Sequence, residues 1–194
     1  MTSTPVPTAI VDTNVLHPAG MRDILLRVAK TDLYRLKWSQ DIRSELIRTI
    51  HKVRPDLDHA QFERHTLALM DEFFRDGFVT GYETRVDDLE GIDAKDRHVA
   101  AAAIQGACSV ILTNNLRHFP ADVLAPHGIT AQKPDDFLVP ILLMNPDKFC
   151  EAARQHRVSL TKPPYNVEAY LTKLARDGIN RTATELSYFA YLLD

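Results

Sequence analysis

Segments typical of buried strands alternate with segments typical of amphipathic helices between residues 8 and 131, and this alternation is the strongest constraint on the fold. The strand-like segments are short apolar runs, whereas apolar residues between them recur at the three-to-four-residue spacing of a helix. Strands that alternate with helices favour a parallel sheet that is covered on both faces. The sequence therefore predicts an α/β protein with a central parallel sheet.

The same patterns predict the bounds of the elements and a division of the chain. The predicted strands cover residues 8–11, 34–38, 78–82, 108–113 and 128–131. The predicted helices cover 18–33, 39–55, 58–77, 93–106, 120–125, 135–144, 146–156, 166–176 and 182–193, the last opening with a Thr182/Glu185 capping box. Because no strand pattern follows residue 146, we expect a disordered N-terminus over 1–7, a main domain over 8–144 and a helical C-terminal extension over 145–194.

Composition indicates a globular protein, with 45% hydrophobic and 25% charged residues. No apolar run approaches the ~18 residues that cross a bilayer, and the N-terminus lacks the regions of a signal peptide. We therefore expect a cytoplasmic protein without membrane contact. Cys108 and Cys150 are too few for a disulfide framework, and their apolar surroundings are typical of small core residues.

The net charge of −3 conceals a basic region between residues 22 and 54. Nine Lys and Arg residues accompany four acidic residues there, which gives a local charge of +5. Such a region either contacts phosphates or forms the solvated outer faces of helices. The sequence leaves both interpretations open.

Polar residues follow the two clearest strands. Asp12 comes directly after the strand at 8–11, and Asn115 follows the strand at 108–113. Ligands of open parallel sheets bind beyond the carboxyl ends of the strands. If these two strands are neighbours in the sheet, we expect Asp12 and Asn115 to lie at one site.

Three more acidic residues are candidates for this site, and each has a simpler alternative. Asp96 lies on a helical face of small apolar residues, although the helix dipole also favours a carboxylate in a first turn. Asp93 fits a helix N-cap, and Glu45 fits an exposed charge ladder between Asp41 and Arg48. Local pattern alone does not separate these roles from a role in a site.

A cluster of Asp12, Glu45 and Asp96 would require a cation or a proton. Two carboxylates ~4 Å apart repel by ~4 kcal/mol at an effective dielectric of about 20. Oxygen ligands of this kind favour Mg²⁺ or Mn²⁺, whereas zinc recruits His or Cys at characteristic spacings. We find no such spacing among the following histidines and interpret them as surface or packing residues: His17, His51, His98, His118 and His127.

Four segments, in their order along the chain, resemble the PIN-domain family over roughly residues 8–138. They are Ile-Val-Asp-Thr-Asn-Val-Leu at 10–16, Glu45, Asp-Ala-Lys-Asp-Arg-His-Val-Ala-Ala-Ala at 93–102, and Ile-Leu-Thr-Asn-Asn-Leu-Arg-His-Phe-Pro at 111–120. The resemblance implies a Rossmann-like α/β/α PIN domain, a nuclease with Mg²⁺ or Mn²⁺ in an acidic pocket. Many bacterial members of the family are VapC-type toxins that cleave RNA, and the extension after residue 144 resembles that of a longer subgroup.

The resemblance also assigns roles to residues. Asp12, Glu45 and Asp96 match the catalytic, metal-binding acids, and Asn115 matches a fourth catalytic position that relatives fill with Asp or Asn. His118 stands where many toxins have Asp, a departure that weakens a second metal position unless Asp93 compensates. The other candidates are a further metal ligand (Asp93), supporting residues (Thr13, Asn14, Thr113) and RNA-binding arginines (Arg43, Arg48, Arg97).

The expected function is that of a divalent-metal-dependent endoribonuclease, the toxin of a type II toxin-antitoxin pair. Its partners would be an RNA substrate (tRNA, rRNA or mRNA), a cognate antitoxin that inserts a basic residue into the pocket, and a second copy in a homodimer. The alternative is a catalytically weak PIN-like module that binds RNA or a protein. An aspartyl phosphatase of another doubly wound fold fits less well, because Asn14 stands where such enzymes need a second Asp.

Overall fold

A computed structural model describes residues 6–194, apart from the side chains of residues 65, 69 and 73. The strands are β1 (Thr8–Val11), β2 (Arg35–Ser39), β3 (Phe78–Val79), β4 (Val110–Leu112) and β5 (Thr130–Gln132). They form one five-stranded sheet in the order β3-β2-β1-β4-β5, and every pairing is parallel. The predicted α/β class with a central parallel sheet is confirmed. The predicted disorder of residues 1–7 falls mainly outside the described residues.

Helices account for most of the remaining chain. They are α1 (Thr13–Leu16), α2 (Ala19–Lys30), α3 (Gln40–Val53), α4 (His59–Phe62), α5 (Ala68–Phe73), α6 (Arg97–Gln105), α7 (Ala121–Leu124), α8 (Pro134–Met144), α9 (Pro146–Ser159), α10 (Val167–Arg176) and α11 (Asn180–Ser187). A π-helical stretch, Glu63–Leu67, separates α4 from α5, so the helix predicted over 58–77 is interrupted. Within the described residues, no helix has the length and apolar character that a bilayer crossing requires.

The chain forms two compact units. One comprises Pro7–His17 and Arg35–Gln132, and the other comprises Pro18–Tyr34 and Lys133–Asp194 with Val6. The first unit therefore holds the whole sheet, and the second holds α2 and α8 to α11. The predicted domains, 8–144 and 145–194, follow the order of the chain rather than this packing and stay a prediction.

Strand β1 lies at the centre of the sheet. Its residues Ala9, Ile10 and Val11 are fully buried, and the strand pairs with β2 on one side and with β4 on the other. Val11 is level with Leu112, and the Asp12 amide donates to the Leu112 carbonyl at 3.0 Å. The predicted adjacency of the first strand and the strand before Asn115 is therefore confirmed, and their carboxyl ends lie at one edge.

Two helices of the first unit position further candidate residues beside this edge. Helix α6 packs against β1, β2 and β4 through a run of buried small residues, Val99–Ala103, which permits a close approach. Helix α3 begins after Ser39, whose hydroxyl accepts from the Ile42 amide, and it packs on α1. The sequence predicts a Ser39 cap and an apolar stripe of Ile42, Leu46, Ile50 and Val53 for this helix. The cap and the first three stripe positions are confirmed, whereas Val53 is exposed.

The second unit is a helical cluster with its own core. Helix α2 packs on α9, α8 packs on α9 and α11, and α10 packs on α11. Tyr34 and Phe137 meet edge to face with their ring centroids 5.1 Å apart. Phe149, Tyr170 and Leu186 are fully buried, so the apolar residues of the C-terminal helices serve packing within this unit.

Three predicted helix starts differ from the structure, because the side chains expected to cap these helices form other hydrogen bonds or lie inside the helix. The Asp93 carboxylate accepts from the Lys95 amide in a turn, so α6 begins at Arg97 and not at Asp93. The sequence predicts Asp135 or Asp136 as the N-cap of α8, but both lie inside the helix, and Lys133 occupies the N-cap position. The Asp135 carboxylate instead accepts from the Thr182 amide at 2.8 Å and hydroxyl at 2.7 Å, and Thr182 lies inside α11 without forming the predicted capping box.

The strand predicted over 78–82 is also too long. Strand β3 ends at Val79, and Gly81 adopts a positive φ of 75°, which extended strand geometry excludes. The chain leaves the sheet there in a turn.

Candidate metal centre

The Asp12 carboxylate occupies the carboxyl end of the central strand and is only 3% exposed. Its Oδ2 accepts hydrogen bonds from Thr113 Oγ1 at 2.7 Å and from Asn14 Nδ2 at 2.5 Å. Asp12 directly follows β1, Thr113 directly follows β4, and Asn14 lies in the single turn of α1. The orientation of this carboxylate is therefore set by the register of two adjacent strands.

Thr113 and Asn14 are in turn held by their neighbours. Thr113 is fully buried, and its Oγ1 accepts from Asn14 Nδ2 at 3.1 Å and from the Asn115 amide at 3.0 Å. Asn14 Oδ1 accepts from the Asn114 amide at 2.9 Å. These bonds join the loops after β1 and β4 into one polar network around Asp12.

Glu45 enters the same network through Thr13. Thr13 Oγ1 donates to Glu45 Oε2 at 3.0 Å, and Thr13 is the residue next to Asp12. His98 approaches the same oxygen, with Nε2 at 3.7 Å, which is beyond hydrogen-bond range. Glu45 therefore faces the sheet edge from α3, rather than only extending an exposed charge ladder.

Asp96 lies at the start of α6 and bonds to a histidine. Asp96 Oδ2 and His118 Nδ1 are 2.6 Å apart, and the two side chains are 15% and 26% exposed. Asp93 is adjacent and exposed, and single ligand atoms of Asp93, Asp96 and His118 all lie within 4.8 Å of one another. Two carboxylates and one imidazole thus converge at this position.

The pKa of Asp12 shows that the acidic residues share one electrostatic environment. Burial is the largest effect and raises the pKa of this carboxyl above its usual range, whereas the Thr113 hydrogen bond lowers it. The negative charges of Asp96 and Glu45 raise the pKa further. Asp96 and Glu45 therefore both act on Asp12 through their charges.

Comparisons with known proteins find similarity over part of the chain, including its C-terminal helices. Residues 134–187 match the family described as "VapC50 C-terminal domain". A segment of 62 residues is 58% identical to "Putative ribonuclease VapC50" of Mycobacterium tuberculosis (strain ATCC 25618 / H37Rv), covering 32% of this chain. The match spans 36% of that relative's length. No solved structure matches the chain.

The chain is therefore similar to VapC50 over part of its length, which includes the C-terminal helices. The family match lies over the extension, and the parallel sheet with its acidic edge is the part that the PIN resemblance describes. Because the relative is matched over about a third of its length, its printed activity bears on this chain only as support for a proposal.

The sheet-bearing unit contains every predicted site residue. Hydrogen bonds join Asp12, Asn14 and Thr113, Thr13 bonds to Glu45, and Asp96 acts on Asp12 through its charge. Among the described residues, Asp93, Asp96 and His118 form a group whose ligand atoms lie within 4.8 Å of one another, and Asp12 and Glu45 do not belong to it. Asn115 contributes its backbone amide to Thr113, and its side chain is exposed. Asp93 stands beside Asp96 as expected. Their roles in binding and catalysis stay predictions.

The predicted RNA-binding arginines differ in how they are engaged. Arg43 Nη1 is paired with Asp71 Oδ2 at 2.7 Å, and Arg97 Nε donates to the Ile92 carbonyl at 3.3 Å. Arg48 is exposed on α3. Arg43 and Arg97 would each have to give up the bond just described before contacting a phosphate. Arg48 is therefore the best placed of the three.

Two histidines lie at the site although the sequence was interpreted otherwise. His118 contacts Asp96 and His98 lies 3.7 Å from Glu45, so both are neighbours of candidate site residues, which the interpretation as surface or packing residues does not include. The sequence spacing that is typical of zinc ligands could not reveal these two histidines, because each lies near a carboxylate from a different part of the chain. The signal for His118 was its position, two residues short of Pro120 in a segment where many relatives carry an acid.

The side chains at this edge fit a divalent cation. Asp12 combines burial with neighbouring negative charge, both of which disfavour its carboxylate form, and a cation relieves both effects. Asp12, Glu45 and Asp96 would supply oxygen ligands, which suit Mg²⁺ or Mn²⁺. The identity of the ion belongs to the proposals below.

Proposed function

We propose that this protein is a divalent-metal-dependent endoribonuclease that hydrolyses RNA phosphodiester bonds, with Mg²⁺ or Mn²⁺ held by Asp12, Glu45 and Asp96. The observation that carries the proposal is the buried Asp12 carboxylate, whose pKa is raised by burial and by the charges of Asp96 and Glu45. Such a cluster is unfavourable unless a cation or proton neutralises it. The name of the relative, a ribonuclease, agrees with this chemistry.

Some residues of the site would hold the ion, and others orient the side chains of those ligands. Thr113 and Asn14 fix one oxygen of Asp12, and Thr13 fixes one oxygen of Glu45. Such hydrogen bonds set the direction of ligand lone pairs before any ion binds. A bound divalent cation supplies activation of a water molecule and neutralisation of charge on the phosphate. Arg48 would contact the RNA backbone next to the pocket.

We further propose that the protein is the toxin of a type II toxin-antitoxin pair. An antitoxin that places a Lys or Arg among Asp12, Glu45 and Asp96 would satisfy the same charges that the cation satisfies. The RNA substrate would be a tRNA, rRNA or mRNA, and the expected assembly is a homodimer in the cytoplasm. Support for these points comes from the PIN resemblance and from the name of the relative.

Cleavage of purified total RNA in the presence of Mg²⁺ or Mn²⁺ tests the nuclease. Asp12→Asn keeps the shape of the side chain and removes its charge, so we expect cleavage to fall by more than about 100-fold, beyond the range typical of outer-shell ligand partners. Asp122→Asn, at an exposed position of α7 in the same unit, is the matched control and should cleave like the wild type. Equal cleavage by the wild type and Asp12→Asn, or full cleavage in excess EDTA, would contradict the proposal.

A non-cleaving module that binds RNA or protein is the second candidate, because Asn115 is neutral and its side chain is exposed at the fourth catalytic position. Calorimetric titration with Mn²⁺ separates the two. Binding at millimolar Mn²⁺ or below favours the nuclease, whereas RNA binding without any metal binding favours the module.

A further inference from the structure

We propose that His118 is a nitrogen ligand for a divalent cation, which it binds together with Asp93 and Asp96, and that this position favours Mn²⁺ over Mg²⁺. The inference deepens the proposed function, since Asp96 is shared with the acidic pocket around Asp12. It adds a histidine to a set of ligands that the sequence predicts to consist of oxygen atoms alone.

The separations of the three side chains are close to those of ligands on one ion. Their ligand atoms all lie within 4.8 Å of one another. Two ligands with bonds of about 2.1 Å are ~3 Å apart when adjacent and ~4.2 Å apart when opposite on an octahedral ion. Side-chain movements of a few tenths of an ångström therefore suffice to place one cation among Asp93, Asp96 and His118.

The backbone holds these side chains near one another. The Asp93 amide donates to the His118 carbonyl at 3.4 Å, which ties the turn before α6 to the loop after β4. The Asp96 amide donates to the Asp93 carbonyl at 2.8 Å, and the His118 amide donates to the Asn115 carbonyl at 2.9 Å. The position is thus formed by two short turns rather than by long mobile side chains.

The orientation and exposure of the ring also suit a ligand. His118 Nδ1 is directed at Asp96 Oδ2 at 2.6 Å, so the nitrogen faces the carboxylates. Asp96 and His118 are partly shielded while Asp93 is exposed, which leaves a route for an ion from solution. A cation that replaces the hydrogen between His118 Nδ1 and Asp96 Oδ2 would contact both side chains.

The chemistry of the ligands decides the class of ion. Mg²⁺ takes oxygen ligands almost alone, whereas first-row transition ions also bind imidazole nitrogen. Mn²⁺ is the ion of that series that shares the preference of Mg²⁺ for carboxylates, so a set of two carboxylates and one imidazole suits it better than it suits Mg²⁺. An Asp at position 118 would give an all-oxygen set that suits Mg²⁺ as well as Mn²⁺. The histidine therefore shifts selectivity towards Mn²⁺ in this chain.

Pulsed electron paramagnetic resonance of Mn²⁺ bound to the full chain tests the proposal directly. We expect ¹⁴N modulation in the wild type, its replacement by ¹⁵N coupling in protein labelled with ¹⁵N-histidine, and its loss in His118→Asp. The labelled wild type needs no substitution, so a folding defect in the variant cannot mask the answer. Mn²⁺ binding without nitrogen coupling in the wild type, or no Mn²⁺ binding at all, would overturn the proposal.

Calorimetric titrations measure the selectivity. His118→Asp is expected to weaken Mn²⁺ binding at least about 10-fold relative to Mg²⁺, and His127→Asp, at an exposed position of the same unit, should leave the ratio unchanged. An unchanged ratio in a folded His118→Asp protein, as judged by circular dichroism, would refute the selectivity. Nitrogen-coupled Mn²⁺ in a protein that cuts no RNA would leave this inference intact and refute the nuclease.

Discussion

At the scale of single residues, Thr113 connects the fold to the chemistry of the site. Its hydroxyl donates to Asp12 and accepts from Asn14 Nδ2 and from the Asn115 amide, while the side chain is fully buried between strands. Three polar groups thus depend on one oxygen atom. The uncharged Thr113 thus orients the Asp12 carboxylate.

Replacing Thr113 by Val keeps the shape and removes these bonds. We expect RNA cleavage and Mn²⁺ affinity to fall by roughly 10- to 100-fold, the range found for hydrogen-bond partners of metal ligands. Thr113→Ser retains the hydroxyl and should stay near the wild type, and Thr130→Val alters an exposed threonine of β5 as the matched control. Full activity and affinity in Thr113→Val would show that this orientation does not matter.

At the scale of elements, the parts that were predicted correctly are those set by local pattern. Strand β1 follows from an uninterrupted apolar run, and α3 follows from Ser39 and the stripe Ile42, Leu46 and Ile50. The general rule for parallel sheets placed Asp12 and Asn115 at one edge on the condition that their strands are neighbours, and the pairing of β1 with β4 meets that condition. Most of the architecture around the site was therefore accessible from sequence.

The parts that were missed depend on contacts between distant positions. Asp135 bonds to Thr182, 47 residues away, and so removes both the expected cap of α8 and the expected capping box of α11. His118 meets Asp96 across 22 residues, an approach that depends on how α6 lies against the sheet. Local propensity carries no information about either pair.

Helix α10 provides a test at this scale. Asn166 Oδ1 accepts from the Ala169 amide at 2.8 Å, which satisfies one free donor at the start of the helix. Asn166→Ala should lower the free energy of unfolding by about 1 kcal/mol, whereas Asn166→Asp keeps an acceptor and should have little effect. Urea unfolding measures both. Equal midpoints for the Ala variant and the wild type would exclude a capping role.

At the scale of the whole molecule, the buried His156 links stability to pH. The side chain is fully buried in the helical unit, with Nδ1 3.1 Å from the Tyr170 hydroxyl and Nε2 3.7 Å from Asp23 Oδ2. Burial lowers the pKa of His156 to about 4, although the charge of Asp23 opposes this effect. Lys173 and Arg27 lower the pKa further, and Asp177 raises it. The folded protein therefore keeps this imidazole neutral at neutral pH.

Between its ordinary pKa of 6.5 and about 4, His156 binds a proton in the unfolded chain more readily than in the folded one. Its contribution to stability is thus complete above pH 6.5 and is lost as the pH falls towards 4, a difference of roughly 3 kcal/mol for this shift. His156→Gln should flatten this part of the profile of unfolding free energy against pH. His127→Gln, at an exposed histidine, should keep the wild-type slope. Identical slopes in the wild type and His156→Gln would contradict the assignment.

The proposed nuclease depends on a divalent cation held by Asp12, Glu45 and Asp96 at the carboxyl edge of the sheet. Anomalous diffraction at the manganese edge, from crystals equilibrated with millimolar Mn²⁺, tests it most directly. We expect an anomalous peak within about 2.6 Å of carboxylate oxygens of Asp12 and Asp96. A well-ordered acidic edge without such a peak, or manganese bound only elsewhere on the protein, would contradict it.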